Sequence, residues 1–431
     1  MSDQDLPPGA GVGAPVRHGR LPRRDGAWPI IRFIAGGLAV VAVSIVGVAG
    51  ISALQLASRL GPSIELPSAG EAPPPTLGAI EGPVNFLLVG NDSGGGNPVY
   101  GQRDAQLNDV TVLVHLAADH SNATIVTFPR DLYVSIPECS GADGETFESA
   151  SLQKINTAYS HGGVPCVAET VTELTGVQID YAADVDFDGA IAVAEAIGGV
   201  DVCLASPVRD KYTNPPLDLP AGTVTLEGAT AVSFLRSRYG VGDGSDLGRV
   251  SNQQLFFAAL ARQTRDKLSD LPTVYRIAQA AASNMSLSSN LQNPLTLASI
   301  ALAFRDIDFS KIVFVQYPNH YPEPGERQVN GVLPTVAAAQ VLNDALVSDT
   351  PVVLTDRPSG SGATVPDPAA PRPEPDPIPS PSPSPPPSPT PSASSSASPS
   401  PSPSASPKDQ PVELPSNTFG QTAADLTCSS K

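Results

Sequence analysis

The sequence has few positively charged residues, histidines and cysteines, and these shortages exclude several classes of function. Lysine and arginine number 25 against 43 aspartate and glutamate, which gives 431 residues a formal net charge of −18. A protein this acidic is a poor non-specific binder of nucleic acid, because the phosphate backbone repels it. The five histidines have no spacing typical of a metal site, and the sequence contains no nucleophile elbow, zinc motif or internal repeat. The few arginines therefore have local tasks.

The N-terminal region is typical of a membrane anchor. Residues 33–57, FIAGGLAVVAVSIVGVAGISALQLA, contain no charge and are long enough to cross a bilayer as a helix. A cleaved signal peptide is the alternative, but the segment is long and lacks a clear cleavage site with small residues at the first and third positions. Residues 1–32 carry five arginines, so the positive-inside rule places the N-terminus in the cytoplasm. We therefore expect a single-pass plasma-membrane protein with a cytoplasmic disordered tail (1–32), a stalk (58–78) and an extracellular domain.

The C-terminal region differs in composition from the rest of the chain. The sequence contains 47 prolines, and most of the excess lies after residue 365 in proline- and serine-rich runs. Such a segment cannot bury enough apolar surface to fold. Residues 356–431 are therefore predicted to be a disordered extracellular spacer, and a short ordered end after Glu413 is an alternative that no pattern supports. Residues 1–32 carry +2 and residues 356–431 carry −3, so the region between them carries −17.

Residues 79–355 have the pattern of an α/β domain. Short apolar runs at 84–90, 109–117, 123–128, 181–185, 200–204 and 311–317 predict strands, and residues at three-to-four spacing predict helices. The helices are expected at 167–174, 187–197, 253–268, 273–282, 294–304 and 336–347, with a further helix opening at Lys154. Because strands and helices alternate, we expect a layered α-β-α fold with a mixed central sheet.

Residues 235–254, LRSRYGVGDGSDLGRVSNQQ, favour a phosphate site. Arg236 and Arg238 are two apart, so they share a face only where the backbone is extended. Arg249 and Gln253 are four apart, which is one turn of a helix that Ser245 or Asp246 could cap. Guanidinium groups match phosphate oxygens and stay charged at any working pH. The pattern predicts a helix up to Arg236, a glycine-rich loop and a second helix from about residue 246.

Other polar residues at strand ends allow two interpretations each. Asp92 and Asp109 suit Mg²⁺, which prefers oxygen ligands, although these two residues alone are more simply explained as ordinary turn and strand-cap aspartates. Arg130 and Asp131 follow a strand and a proline, and a surface salt bridge would explain them as well as a site. Lys154 and Asn156 stand at a helix start, where a solvated lysine is the simpler interpretation.

The four cysteines are competent to form disulfides if the domain is external. Cys139 and Cys166 lie 27 residues apart in loop-like flanks and are the favoured pair. Cys203 lies in a strand-like VDVCL and is equally compatible with a buried free thiol. Cys428, beyond the proline-rich segment, has no preferred partner.

Taken together, these segments resemble the LytR–CpsA–Psr family. NFLLVGND, LNDVTVLVHLAADHSNATIVTFPRDLYVSIP, KINTAYSHGG, VDFDGAIAVAEAIGGVDVCL and LRSRYGVGDGSDLGR match its blocks in order and spacing over about residues 79–267. The resemblance implies a membrane-anchored, external phosphotransferase of Gram-positive bacteria. Such enzymes move a glycopolymer from a polyprenyl-pyrophosphate carrier onto peptidoglycan.

The resemblance also implies a role for each matching position. The family's acidic pair, which holds Mg²⁺ or Mn²⁺, matches Asp92 and Asp109. The catalytic positions implied are Arg130, Asp131, Arg236, Arg238, Arg249 and Gln253, and Lys154 and Asn156 match a substrate-binding block. The family usually has arginine two residues before the second metal aspartate, where this sequence has Leu107. Arg103, four residues upstream, is the candidate replacement for that charge.

Three other functions are compatible with parts of the pattern. The same site with water as acceptor would make a Mg²⁺-dependent pyrophosphatase. A non-catalytic lipid- or wall-binding protein would explain the missing arginine at Leu107. Transcription regulation conflicts with the outward topology and with the acidic domain, so no nucleic-acid partner is expected.

Overall fold

A computed structural model of the chain describes residues 63–67, 80–91, 107–141, 145–267, 271–355, 364–366 and 410–430. The expected cytoplasmic tail and membrane-spanning segment lie outside these ranges, as do Asp92, Arg103 and all of the stalk except residues 63–67. Within the described ranges, no helix combines the length and the apolar character that crossing a membrane requires.

The described residues form 21 strands, most of them short, and seven α-helices. The strands are β1 (Val84–Asn91), β2 (Asn108–Leu116), β3 (Ala123–Phe128), β4 (Tyr133–Ile136), β5 (Cys139–Ser140), β6 (Thr146–Phe147), β7 (Ala150–Lys154), β8 (Tyr181–Val185), β9 (Val200–Leu204), β10 (Val208–Asp210), β11 (Leu217–Leu219), β12 (Gly222–Leu226), β13 (Met285–Leu287), β14 (Ile312–Gln316), β15 (Asn319–His320), β16 (Leu333–Pro334), β17 (Val352–Leu354), β18 (Thr364–Pro366), β19 (Val412–Leu414), β20 (Gly420–Thr422) and β21 (Thr427–Ser429). The helices are α1 (Ala158–Thr175), α2 (Phe187–Ile197), α3 (Gly228–Arg236), α4 (Asp246–Lys267), α5 (Leu271–Asn284), α6 (Pro294–Arg305) and α7 (Val336–Val347).

The central sheet has seven strands in the order β13-β8-β1-β2-β3-β14-β20. β1 pairs in parallel with β8, and β3 pairs in parallel with β14. The other four neighbouring pairs are antiparallel. The prediction of a mixed sheet is therefore confirmed.

Both faces of this sheet are covered by helices. Successive side chains of a strand point to opposite faces. In β1, Leu87 and Val89 pack in a core cluster with residues of α1 and α7. Phe86 and Leu88 pack on the other side, against a cluster that includes residues of α4 and α6. This arrangement confirms the layered α-β-α architecture. A third cluster, built from β9, β12 and α2 to α4, adjoins the second layer.

Most predicted elements have the expected bounds, and the start of α1 is the main difference before the C-terminal region. The bounds predicted for β3, β8, β9, α2 and α7 are those observed. Lys154 was expected to open a helix, but its backbone pairs with Tyr133 across β4 and β7. A 3₁₀-helix, Ile155–Thr157, then leads into α1. Gly163 has a φ of +63° and kinks α1 near its start, because glycine adopts such angles without steric cost.

The C-terminal end of the chain is folded, which corrects the prediction that residues 356–431 are disordered throughout. β20 pairs with β14 and forms an edge of the central sheet. β19 pairs with β17, and β21 pairs with both β9 and β18. The prediction failed because it averaged composition over the whole segment. Leu414, Ala423 and Cys428, which follow the proline-serine run, are each at most 1% exposed.

Two disulfides connect the described cysteines. The predicted Cys139–Cys166 bond is confirmed and ties β5 to α1. Cys203, which the sequence left open as a free thiol, is bonded to Cys428 instead. This second bond joins β9 to β21, whose backbones pair at the same two residues. The C-terminal strand is thus held covalently as well as by hydrogen bonds.

Candidate active site

The segment between α3 and α4 has the local structure that its arginine spacing predicts. α3 ends at Arg236, and Ser237 has extended backbone angles, with φ −62° and ψ 130°. Arg236 and Arg238 therefore flank an extended residue, as side chains that share a face must. Ser245 caps α4, since its Oγ accepts a hydrogen bond of 3.1 Å from the Gly248 amide.

Asp246, the first residue of α4, lies at the centre of an arginine cluster. Its Oδ1 lies 2.7 Å from Nη2 of Arg249, 3.2 Å from Nη2 of Arg238 and 3.5 Å from Nε of Arg130. One carboxylate oxygen therefore faces three guanidinium groups that come from three separate parts of the chain. The loop after β3, the loop before α4 and α4 itself converge at this point.

Two further carboxylates complete the cluster. Arg130 donates to Asp109 Oδ1, and Arg249 Nη1 lies 3.9 Å from the same oxygen. Lys154 Nζ lies 2.7 Å from Asp131, which also has Arg238 Nη2 at 3.8 Å. Four cations thus face the three carboxylates: Lys154, Arg130, Arg238 and Arg249. Arg236 adds a fifth positive charge near Asp109. The cluster therefore keeps excess positive charge for an anionic ligand.

Burial strengthens these interactions. The side chains of Arg249, Asp246 and Asp109 are 3%, 8% and 13% exposed, and charges interact more strongly away from water. Burial alone would raise the pKa of Asp109, but the guanidinium groups of Arg249 and Arg130 outweigh it and hold this pKa below its usual range. Asp109 is therefore ionised at neutral pH and available as an oxygen ligand.

Three guanidinium donors in the cluster have no hydrogen-bond acceptor. The Nε atoms of Arg130, Arg238 and Arg249 are buried, and none makes a hydrogen bond within the described part of the chain. Both carboxylate oxygens of Asp246 are likewise buried without a hydrogen bond of good geometry, although Oδ1 lies 3.5 Å from Arg130 Nε. Buried donors are normally satisfied, so an unfilled set of three requires an explanation. An oxyanion with several oxygens, such as phosphate, would supply the missing acceptors.

An apolar cavity opens beside the cluster. It has a volume of about 170 Å³ and lies between the sheet and helices α2, α3 and α4. Its polar lining residues are Asn91, Asp109, Asp186, Arg236, Arg249 and Gln253. The remainder is lined by apolar side chains, among them Leu88, Val193, Ile197, Leu235, Phe256 and Leu260. The site therefore combines a cationic mouth with an apolar interior.

The other predicted site residues fall in or beside this region. Gln253 is buried and its Nε2 donates a 3.0 Å hydrogen bond to the carbonyl of Leu235, which ties α4 to the end of α3. Asn156 is buried, and its backbone amide donates a 3.4 Å hydrogen bond to the backbone carbonyl of Arg130. Its side-chain Oδ1 is buried without a hydrogen-bond partner within the described residues. Asn156 therefore supports the turn that carries Arg130.

Of the two predicted metal ligands, Asp109 lies within the described residues. Asp92 and Arg103 lie outside the described residues. Asn91 pairs with Asn108 at the end of β1 and β2, so the residue before Asp92 lies opposite the residue before Asp109. The described residues contain no group of three histidine, cysteine, aspartate or glutamate side chains that could hold a metal. A magnesium site at Asp92 and Asp109 stays a prediction.

Asp246 is the site residue that sequence reasoning missed, since it was considered only as a possible helix cap. Its spacing contained a signal. Asp246 and Arg249 are three apart at the start of a helix, where such residues share a face and can form an ion pair. What the spacing does not reveal is that Arg130 and Arg238 reach the same oxygen.

Replacing Asp246 by asparagine should destabilise the folded protein markedly. The substitution removes the negative charge that three guanidinium groups face. The buried positive charge of Arg249 then loses its nearest carboxylate partner. Breaking a buried ion pair from one side costs about 3 kcal/mol in free energy of unfolding, which urea denaturation would measure. Asp218→Asn is the matched control, because Asp218 pairs with the exposed Arg209. Equal losses in the two variants would contradict the central role of Asp246.

Comparison with known proteins identifies the family of the chain. The model of the LytR_cpsA_psr family matches residues 67–345, which is more than half of the chain. The probable cell wall biosynthesis protein LcpB of Corynebacterium glutamicum is 32% identical over 198 residues, which are 44% of this chain and 44% of LcpB. The polyisoprenyl-teichoic acid–peptidoglycan teichoic acid transferase TagT of Bacillus subtilis is 25% identical over 218 residues, which are 50% of this chain and 63% of TagT.

The chain thus spans less than half the length of LcpB and less than two thirds of TagT. A solved structure of TagT bound to LIIa-WTA superimposes with a TM-score of 0.50 at 21% identity, covering 66% of this chain and 98% of that one. This likeness shows a shared fold. With the family model matched across the α/β domain, the chain belongs to the LytR_cpsA_psr family.

Proposed function

We propose that the protein is a phosphotransferase that moves a glycopolymer from a polyprenyl-pyrophosphate carrier onto peptidoglycan. The observation that carries this proposal is the arginine cluster with three unfilled guanidinium donors, which adjoins an apolar cavity through Arg249. A lipid pyrophosphate has the complementary shape, with a doubly charged head and an apolar tail. The name of TagT, a polyisoprenyl-teichoic acid–peptidoglycan transferase, supports the same substrate class.

The cavity would hold the polyprenyl chain. Its lining beyond the mouth is almost entirely apolar and comes from α2, α3 and α4. Burying a prenyl chain there is favourable by roughly 25 cal/mol per Å² of apolar surface removed from water. Because Arg236, Arg249 and Gln253 all line the mouth, a chain inserted in the cavity would leave its pyrophosphate among the arginines.

The arginines would stabilise the charge that develops during transfer. A hydroxyl of the wall glycan attacks the phosphorus that carries the glycopolymer, and the bond to the bridging oxygen breaks. Polyprenyl phosphate leaves with that bonding pair, and the hydroxyl proton is lost to solvent. Phosphoryl transfer mainly requires positioning and electrostatic stabilisation. Arg130, Arg238 and Arg249 would bind the non-bridging oxygens through their Nε and Nη donors, with Arg236 facing the same mouth.

Asp92 and Asp109 would hold Mg²⁺ in this proposal, with Mn²⁺ as a substitute. The donor chemistry fits, because an ionised carboxylate at Asp109 is the hard oxygen ligand that Mg²⁺ prefers. When bound, the metal would supply further neutralisation of the pyrophosphate charge. Arg103 remains the candidate for the charge that the family places at the position of Leu107.

The two disulfides support an external location. Disulfides persist in oxidising compartments and are rare in the cytosol. All four cysteines of the chain are bonded. We therefore propose that the folded region lies outside the cytoplasmic membrane, with residues 33–57 as its anchor, where it would meet both the membrane-embedded donor and the peptidoglycan acceptor.

Removal of divalent metal should stop the reaction. The full chain would be incubated with a polyprenyl-pyrophosphoryl disaccharide and a peptidoglycan fragment, and the release of polyprenyl phosphate would be followed. EDTA should lower the rate at least tenfold, and added Mg²⁺ should restore it, because the arginines alone leave part of the pyrophosphate charge uncompensated.

The acceptor provides the control in this experiment. Release that requires the peptidoglycan fragment indicates transfer, whereas an equal rate with water alone would identify a pyrophosphatase. Tight donor binding without release under any metal condition would contradict both enzymatic functions and would leave a lipid-binding protein.

A further inference from the structure

Two tyrosines beside the arginine cluster are exposed although their backbones are firmly held. The side chains of Tyr212 and Tyr239 are 69% and 60% exposed. Their ring centroids lie 5.0 Å apart and the ring planes are inclined by 57°. Tyr212 lies in the loop between β10 and β11, and Tyr239 follows α3. Two segments distant in sequence therefore present one aromatic surface, which we term the tyrosine pair.

Asp210 holds both members of the tyrosine pair in place. Its carboxylate is only 3% exposed and accepts hydrogen bonds from the amide of Tyr212 at 2.9 Å and from the amide of Tyr239 at 3.2 Å. The buried hydroxyl of Ser237 donates a third hydrogen bond at 2.8 Å. One buried anion thus fixes the backbone at both tyrosines.

The surrounding loops are also fixed. Thr213 Oγ1 hydrogen-bonds to the carbonyls of Asp210 and Pro215, and Ser233 of α3 donates to the same Pro215 carbonyl at 2.8 Å. A side chain at Gly240 would lie 2.7 Å from Ser237 Oγ and 3.2 Å from Asp210 Cβ, so the chain after Tyr239 packs closely on this anchor. The exposure of the two rings is therefore a fixed feature of the surface.

The tyrosine pair adjoins the phosphate site through Arg238. Tyr239 follows Arg238, whose Nη2 lies 3.2 Å from the central Asp246. The side chain of Arg238 is 32% exposed, whereas that of Arg249 is 3% exposed. Arg238 therefore lies on the outer side of the cluster, away from the deeply buried Arg249. Tyr239 thus directly follows, along the chain, the arginine on the solvent side of the cluster.

We propose that the tyrosine pair binds the first sugars of the donor glycan. The inference rests on the proposed function. A sugar ring has a face of C–H groups that packs against an aromatic ring, while its hydroxyls stay solvated or bond to polar groups at the edge. The phenol of tyrosine offers both an apolar ring and a polar edge. Rigid aromatic rings bind such a face at little entropic cost, because few side-chain torsions lose their freedom on binding.

The donor glycan is the occupant that the positions favour. Its first sugar is bonded directly to the phosphate that the arginines would hold, so it must lie within one residue of them. The prenyl chain occupies the inner, apolar side of the same mouth, which leaves the outer side for the sugar. Lys211 Nζ, 5.1 Å from the Tyr212 ring centroid, would place a cation beside any phosphate or carboxylate further along the glycan.

Two soluble probes with the same lipid test this inference on the full chain. Geranylgeranyl pyrophosphate carries no sugar, and geranylgeranyl-pyrophosphoryl-N-acetylglucosamine carries one. We expect the sugar-bearing probe to bind the wild-type protein about tenfold more tightly in calorimetric titrations, which corresponds to about 1.4 kcal/mol of binding free energy. The double variant Tyr212→Ala/Tyr239→Ala should abolish that difference and leave the affinity for the bare probe unchanged. Tyr212→Phe/Tyr239→Phe, which keeps both rings, should retain most of it.

Each other outcome is decisive. Unchanged affinity for the sugar-bearing probe in the alanine variant would overturn the inference, and a raised KM for a peptidoglycan fragment in that variant would assign the surface to the acceptor instead. Weaker binding of both probes would show that the tyrosines support the phosphate site rather than a sugar. If the wild-type protein binds neither probe, the proposed function itself fails, and the inference fails with it.

Discussion

Replacing Arg238 by alanine should lower the turnover of the lipid-linked donor about a thousandfold, which corresponds to about 4 kcal/mol of transition-state stabilisation. Arg238 offers an unfilled Nε donor and a positive charge in the cluster around Asp246. A phosphate in transfer develops charge on oxygens that this planar fork can bind together, and water provides no preorganised equivalent. Single-turnover rates with saturating donor and acceptor would measure the loss.

Arg238→Lys separates charge from geometry in the same assay. Lysine keeps the positive charge but has no planar fork, so it should recover only about tenfold of the lost rate. Arg209→Ala is the matched control, because Arg209 is an exposed arginine whose partner, Asp218, lies outside the cluster. A rate within tenfold of wild type for a folded Arg238→Ala protein would contradict the phosphate role. Asp246 keeps its ion pairs with Arg130 and Arg249 in that variant, so we expect the protein to fold.

Removing the Cys203–Cys428 disulfide should give the largest loss of stability of any change considered. The bond closes a loop of 225 residues, and cross-linking so long a loop stabilises the folded state by about 5 kcal/mol through the entropy of the unfolded chain. The double variant Cys203→Ala/Cys428→Ala should therefore unfold at a much lower urea concentration than the wild-type protein. Adding reductant to the wild-type protein should have a similar effect.

The second disulfide is the internal control for that experiment. Cys139 and Cys166 are separated by 27 residues, so the same entropic relation gives about 3.5 kcal/mol. Both double variants lose two buried sulfur atoms, and they differ in the length of the loop that is opened. Hydrogen exchange would add a local measurement, because amides of β14 that face β20 should lose protection only when the longer loop is opened. An equal or larger loss for the shorter loop would contradict the expectation.

Much of the α/β domain could be predicted because its signals are local. The apolar run of β1 indicates a strand buried on both faces, and the sheet places helices on both faces. The spacing of Arg236 and Arg238 also predicted the extended Ser237 between them. In each of these cases, neighbouring residues determine the backbone conformation. The structure then confirms that Arg130, Arg238 and Arg249 meet at one point.

The features that could not be predicted depend on contacts between distant residues. Asp210 fixes Tyr239 across 29 residues of sequence, and neither residue carries a local pattern that indicates the other. β20 reaches β14 after more than a hundred residues, most of which have the composition of a spacer. Composition describes the average of such a segment and misses a short apolar end. Asp246 was missed for the same reason, since two of its three partners come from elsewhere in the chain.

The C-terminal strands also determine how the proline-serine segment is attached to the folded region. Residues 367–409 connect β18 to β19, and both strands pair with parts of the folded body. The described residues on both sides of this segment are therefore held in the folded body. Because Cys428 is bonded to Cys203, a protease that cut between residues 367 and 409 would not release the C-terminal strands, which would stay covalently attached to the body from which they had been cut.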